Sequence, residues 1–367
     1  MKHFLINLRR TGLSVALALT LPAMTVAAKD AQQKGKPNAQ MQAVLDQLQK
    51  LNGKPIEKIS AKEARQQPTP ADAVKALLQE QGKSTAPEPV GNVDNRMIPG
   101  PAGTIPVRIY TPQGEGPFPV IVYFHGGGWV IADLDTYDSS PRALANAAQA
   151  VVVSSHYRQA PEHKFPAAHE DAFAAYQWTL KNAASIKGQP QNIAVVGESA
   201  GGNLAASVAM MAREKNQPMP VHSVLVYPIA AHDFNSPSYQ ENANAKPLNK
   251  AMMGWFFEKY LKNPEDAKNP MISLVTAPNL KEFPPTTIIT AQIDPLRSEG
   301  QMFAEKLQQA GVKVNYKNYD GVAHEFFGMG AVVPEAKQAV ALAAQDLKSS
   351  FAQVSEAAGT EKNELKK

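Results

Sequence analysis

The sequence predicts an α/β fold with a mostly parallel central sheet, helices on both faces and a helical cap, and three observations carry that prediction. Short apolar runs recur at residues 120–124, 150–154, 192–196, 223–227 and 286–290 without polar alternation, as strands buried on both faces require. Helix-length segments separate most of them, which is the spacing of parallel strands joined by crossovers. One interval breaks that rhythm. About sixty residues lie between the fourth and fifth runs and include a helix-like 248–261 with Trp255, Phe256, Phe257 and Tyr260. An interval that long is usually an insertion with a task, most often a lid.

At the N-terminus, Lys2, Arg9 and Arg10 precede an apolar run at 13–21 and small residues at Ala23, Ala27 and Ala28. That order predicts a secretory signal peptide over 1–28, exported to the periplasm or beyond. A membrane anchor would need about 20 apolar residues, twice what is present. Residues 29–95 read as a flexible start followed by cap helices. Met41, Val44, Leu45, Leu48 and Leu51 have helical spacing, Ser60 and Glu63 form a capping box, and Pro70 sits at a first helical position. The catalytic domain is expected over 96–352, with its cap insertion at about 231–270, and a disordered tail over 353–367.

The formal net charge is +4 and falls to +1 once three basic residues leave with the leader. No cluster of Lys and Arg marks a nucleic-acid surface, and no stable membrane insertion is expected of the mature chain. Cysteine is absent, which removes a thiol nucleophile, a thiolate metal site and a lipidated N-terminal Cys from the candidates. No His and carboxylate set has metal spacing such as His-Glu-x-x-His. The composition carries no signal for an oligomeric state.

Ser199 stands in Gly197-Glu198-Ser199-Ala200-Gly201, directly after the apolar run 192–196 and before a helix-like 203–213. Strand, sharp turn and helix is the setting of a nucleophile elbow, whose tightness demands small residues two positions away on either side. A helix N-terminus would aim the Ala200 amide at an acyl oxyanion. The glycines of His125-Gly126-Gly127-Gly128-Trp129 follow the 120–124 strand and leave backbone amides unobstructed, so Gly127 and Gly128 are the further candidate donors. The loop lacks both phosphate-binding glycine patterns.

A serine nucleophile needs a base, and the base an orienting carboxylate. In this topology the order is Ser, acid, His. His324, in the loop after the strand-like 312–319, is the candidate base. His222 precedes a strand and His232 leaves no room for an acid before it. Asp294, directly after the 286–291 strand, is the candidate acid; Asp320 beside Gly321 has the simpler reading of a turn residue, and Glu299 lies a helical turn further on. Trp129, Trp255 and Phe256 are the candidate acyl-pocket residues, although an aromatic helical face serves equally as core.

These motifs, in this order from about residue 108 to 329, resemble the hormone-sensitive-lipase-like bacterial esterases of the α/β-hydrolase superfamily. The resemblance also rests on Tyr157-Arg158-Gln159-Ala160-Pro161-Glu162 and Asp294-Pro295-Leu296-Arg297. It implies a Ser199, Asp294, His324 triad, oxyanion donors at Gly127, Gly128 and Ala200, a helical cap over the acyl pocket, and no cofactor. The implied reaction is hydrolysis of short- to medium-chain acyl esters, with a small-molecule ester as the partner. An amide or acetyl substrate, or a scaffold without chemistry, are the alternatives. Three positions depart from the family pattern: Ser298 replaces a second acid, His156 an Asp, and Glu325 a Gly after the base. A histidine base places the acid limb of the rate near the free His value of about 6.5.

Overall fold

The strand pattern sets the frame, and it is seen in a computed structural model of the chain, which describes Met1 and residues 35–364. The proposed leader falls outside those residues apart from Met1. Three helices precede the sheet: α1 (Ala39–Lys50), α2 (Ala61–Ala64) and α3 (Pro70–Glu80). Their starts follow the sequence signals. Asn38 accepts from the Met41 amide at 2.9 Å, and capping boxes pair Ser60 with Glu63 and Thr69 with Asp72.

The chain then runs β1 (Asn92–Gly100), β2 (Gly103–Thr111), β3 (Phe118–Phe124), α4 (Ser139–Ala148), β4 (Val151–Ser155) and α5 (Ala167–Asn182). It continues through β5 (Gly188–Glu198), α6 (Ala200–Glu214), β6 (Ser223–Val226), α7 (Pro237–Glu241) and α8 (Lys250–Tyr260). β7 (Thr286–Ile293), α9 (Arg297–Gln309), β8 (Val314–Ala323) and α10 (Pro334–Glu364) complete it. Among the described residues eight strands form one sheet in the order β1-β2-β4-β3-β5-β6-β7-β8. β1 and β2 run antiparallel at one edge, and every pair from β4 through β8 is parallel.

Burial on both faces explains the unbroken apolar runs. On β3, Val120, Val122 and Phe124 enter one core, while Ile121 and Tyr123 enter the other. The first core is completed by α5, α6 and α9 through Ala172, Leu204 and Phe303; the second by α4, α10 and α1 through Leu144, Leu347 and Met41.

Two expectations need correction. β1 carries no apolar run because it is an edge strand on which only Ile98 is buried; a two-residue turn, Pro101-Ala102, registers Gly100 against Gly103. The expected disordered tail is helical to Glu364, since α10 continues past Phe351 into residues rich in Ala and Glu that favour helix without needing a core.

β6 is only four residues long and wholly buried, so its stability lies in side-chain packing. Replacing Leu225, fully buried in the first core, with Ala is expected to destabilise the fold by about 2–5 kcal/mol, read as a lower denaturation midpoint with an unchanged slope.

Candidate active site

Four chain segments leave the carboxyl ends of neighbouring parallel strands and meet at one sheet edge, the place where open parallel sheets bind ligands. Ser199 follows β5, the glycine loop follows β3, Asp294 follows β7 and His324 follows β8. Ser199 has φ 56° and ψ −118°, a backbone conformation few L residues adopt. Its amide donates to the Val226 carbonyl at 2.9 Å and its own carbonyl accepts from Asn203 at 3.1 Å and Ile229 at 3.2 Å. A β-carbon on Gly197 would lie 2.0 Å from the Gly201 oxygen, and one on Gly201 would lie 1.9 Å from the Phe124 oxygen. Both positions therefore require glycine.

His324 Nε2 lies 3.0 Å from Ser199 Oγ, and His324 Nδ1 lies 2.7 Å from Asp294 Oδ2. The second carboxylate oxygen of Asp294 accepts from the Leu296 amide at 2.8 Å, so both oxygens are held. All three side chains are buried. The structure does not bring the rejected groups here. His222 bonds Ser350 and Thr287 at the opposite strand ends, and Asp320 is exposed and bonded to Asn318. Glu299 is buried, but it accepts from the Ala230 and Ala231 amides.

Gly127 and Gly128 face this group with φ of 94° and 57°. Several of the contacts that brace their loop come from the Tyr157–Glu162 motif. Tyr157 Oη donates to the His125 and Gly126 carbonyls at 2.9 and 3.0 Å, Gln159 donates to Ile131 and Ala132 at 2.8 Å each, and the Ala160 amide donates to Trp129 at 2.9 Å. His125 is buried against His156, 3.1 Å between ring nitrogens, and burial together with that neighbour drives its pKa down to about 3. It is a neutral structural group in the loop.

Two further carboxyls, Glu198 and Glu325, shape the electrostatics around Ser199 and His324. Glu198 accepts hydrogen bonds from Tyr123 and Tyr227, and burial pushes its carboxyl up to about 7, with the charge of Glu325 adding to the rise. Glu325 has φ 70°; both its oxygens accept from Tyr137 Oη, at 2.6 and 2.7 Å, and Oε1 lies 3.8 Å from His324 Nε2. For His324, burial opposes protonation, yet Asp294 first, then Glu325 and Glu198, outweigh it and raise the pKa.

The site opens into a cavity of about 680 Å³ that reaches from Ser199 and His324 to the N-terminal helices and α8. Leu45, Leu48, Ile56, Leu248 and Met253 supply apolar wall. Of the three predicted pocket aromatics only Phe256 lines it, and its ring is 2.2 Å from where a β-carbon on Gly128 would sit. Trp129 and Trp255 do not line it. Trp129 is fully buried and stacks on Tyr260 at 4.4 Å, while Trp255 packs edge-on against Phe256 at 5.3 Å. One face of α8 cannot present every aromatic to the cavity, and the sequence does not say which.

Sequence reasoning also missed Arg65. Its guanidinium donates to Val130 and Ala160 carbonyls at 2.8 Å each and forks onto Glu162 at 2.9 and 2.7 Å, so the cavity's N-terminal wall is tied to the glycine loop. An arginine just past a four-residue helix carries no sequence signal for contacts 65 to 97 positions away. Ser298 has a local explanation: it exchanges hydrogen bonds of 3.1 and 3.0 Å with Ser238 and ties α9 to α7. Among the described residues no group of three or more His, Asp or Glu could hold a metal ion. No described helix is long and apolar enough to cross a membrane.

Comparison with known proteins places this geometry. A family model described as the alpha/beta hydrolase fold matches residues 121–328. Carboxylesterase NlhH of Mycobacterium tuberculosis is 42% identical over 239 residues, 64% of this chain and 75% of that protein. Ethyl acetate hydrolase of Pseudomonas putida is 31% identical over 297 residues, 80% of this chain and 91% of that one. The structure of a hyperthermophilic esterase from Pyrobaculum calidifontis superposes with a TM-score of 0.77 at 35% identity, covering 86% of this chain and 98% of its own.

A base must be neutral to take a proton, so if His324 is the base its raised pKa is expected to move the acid limb to higher pH than the free histidine value. The rate of Ser199 labelling by a fluorophosphonate is expected to fall with a midpoint above about 6.5, and Glu325→Gln is expected to lower that midpoint. Arg65→Ala is expected to speed amide hydrogen exchange in α2 and residues 126–131 by about tenfold, with the sheet unaffected.

Proposed function

Since the chain belongs to the α/β-hydrolase family, in its hormone-sensitive-lipase-like branch, we propose that it is a serine carboxylesterase acting on short- to medium-chain acyl esters through Ser199, His324 and Asp294. In the proposed acylation, Ser199 Oγ attacks the ester carbonyl carbon while His324 Nε2 takes its proton. The amides of Gly127, Gly128 and Ala200 receive the oxyanion. The tetrahedral intermediate collapses as the C–O bond to the alcohol breaks and His324 returns the proton to the leaving oxygen. Water then enters in the alcohol's place, His324 takes one of its protons, and the acid departs with Ser199 restored. Asp294 holds the Nδ1 proton and offsets the imidazolium charge in both halves. Each step uses only the chain's own groups and water.

The observation that carries this reading is the unbroken hydrogen-bonded line from Ser199 Oγ through His324 to Asp294, at 3.0 and 2.7 Å, opening into the cavity. The names of the relatives, carboxylesterase and ethyl acetate hydrolase, support an ester over other acyl compounds. The volume of about 680 Å³ and the apolar wall of Leu45, Leu48 and Ile56 support acyl chains longer than acetyl.

Ser199→Ala is expected to reduce p-nitrophenyl butyrate turnover by at least about 10⁴-fold while the melting curve is retained. Near-normal turnover in that variant would remove Ser199 from the reaction. A series of acetyl, butyryl and octanoyl esters beside the matching amides reads the acyl and leaving-group classes.

A further inference from the structure

The acyl-transfer reading gives one group beside the reacting atoms no part beyond its charge. Glu325 lines the cavity alongside Ser199 and His324, and its side chain keeps 21% exposure there. Its Oε1 is 3.8 Å from the imidazole nitrogen that faces Ser199. Its polar side-chain partner is Tyr137, whose single hydroxyl hydrogen is shared between the two carboxylate oxygens at 2.6 and 2.7 Å. A carboxylate offers about four acceptor positions, so one shared hydrogen leaves capacity directed at the cavity. Among the described residues no Lys or Arg forms an ion pair with it, and His324 is its neighbour of opposite charge only when protonated. A partly buried carboxyl with unfilled acceptor positions is costly unless a further donor completes it.

The position of that capacity identifies the donor. During acylation, His324 Nε2 hands its proton to the leaving alcohol oxygen, which must come within about 3 Å of that nitrogen. The alcohol side of the ester, not the acyl side, therefore lies against Glu325. A hydroxyl on the carbon next to the ester-bearing carbon reaches the carboxylate by one more bond length.

We propose that Glu325 selects esters whose leaving alcohol carries a second hydroxyl on the adjacent carbon, that is, partially acylated diols and polyols. This rests on the acyl-transfer reading of Ser199 and His324. A hydroxyl suits the site better than an ammonium group because it completes the carboxylate without placing a second positive charge beside the imidazolium formed in each half-reaction. Burial raises the Glu325 carboxyl, with His324 and Tyr137 acting against the rise. The hydroxyl contact survives either protonation state, since a neutral carboxylic acid still accepts through its carbonyl oxygen. Tyr137 is a positioning residue in this scheme: its hydroxyl holds the Glu325 carboxylate beside the imidazole.

The test compares 2-hydroxyethyl butyrate with propyl butyrate, leaving groups of nearly equal size that differ by one donor, on the full-length protein and its Glu325→Gly and Glu325→Gln variants. A choline ester of butyrate is the cationic arm, and p-nitrophenyl butyrate reports the underlying chemistry. The parent is expected to favour the hydroxyethyl ester in kcat/KM by about tenfold or more. Glu325→Gly, which suits the positive φ, is expected to bring that ratio to about one, and Glu325→Gln to an intermediate value because an amide oxygen still accepts. A purely electrostatic role on His324 would change both esters alike and leave the ratio intact, which overturns the proposal. So does a parent ratio near one, or a preference for the choline ester over the hydroxyethyl ester. If the Gly variant does not fold, an unchanged ratio in the Gln variant is equally decisive against it. Absence of p-nitrophenyl butyrate turnover in the parent would overturn the esterase reading itself, whereas turnover without hydroxyl preference overturns only the role of Glu325.

Discussion

The turn at Ser199 has no space for side chains two residues away on either side, and most of the site's layout follows from that. With virtual β-carbons on Gly197 and Gly201 only 2.0 and 1.9 Å from the Gly201 and Phe124 carbonyl oxygens, the start of α6 closes tightly on both β5 and the end of β3. Ser199 is left in a conformation that costs roughly 1–3 kcal/mol, and hydrogen bonds to Val226, Asn203 and Ile229 hold it there. The hydroxyl is consequently presented beyond the strand end. The parallel order β3-β5-β6-β7-β8 then lets three further loops reach the same edge.

Charge at that edge is arranged around one imidazole. Asp294, Glu198 and Glu325 all favour the protonated form of His324, and burial opposes it. Asp294 is held at both oxygens, by His324 and the Leu296 amide, whereas Glu198 is held by two tyrosines and pushed up to about 7. Three carboxyls near one base thus differ in hydrogen bonding. Asp294 orients, Glu198 sits beneath the elbow among phenols, and Glu325 faces the cavity.

The cavity walls depend on contacts of long sequence separation. Arg65 joins the N-terminal helices to the glycine loop, and the Tyr157–Glu162 segment braces that loop from the other side. Phe256 from α8 fills the space that a side chain at Gly128 would need, so the insertion and the loop define each other's shape. These pieces come from four separate stretches of chain.

Much of this was legible in the sequence because it is local. The unbroken apolar runs betray strands buried on both faces, apolar spacing marks α1, capping and first-turn residues mark α2 and α3, and the glycines around Ser199 and His125 reveal where backbone must approach backbone. Ser199, Asp294 and His324 could each be picked by position relative to a strand end, since the parallel sheet sends every carboxyl end to one side. Edge strand β1 was hidden, because a strand with one buried residue has no apolar signature. The allocation of Trp129 and Trp255 to core and Phe256 to cavity was equally hidden, as were the Arg65 fork and the Tyr137 bond to Glu325. Each is a pairing between residues far apart in sequence, and which partners meet is decided by how the layers pack. Residue type and spacing determined the strands, the turns and the candidate site residues; only the tertiary structure decided what surrounds them, because side-chain contact energy acts through space and leaves no period along the chain.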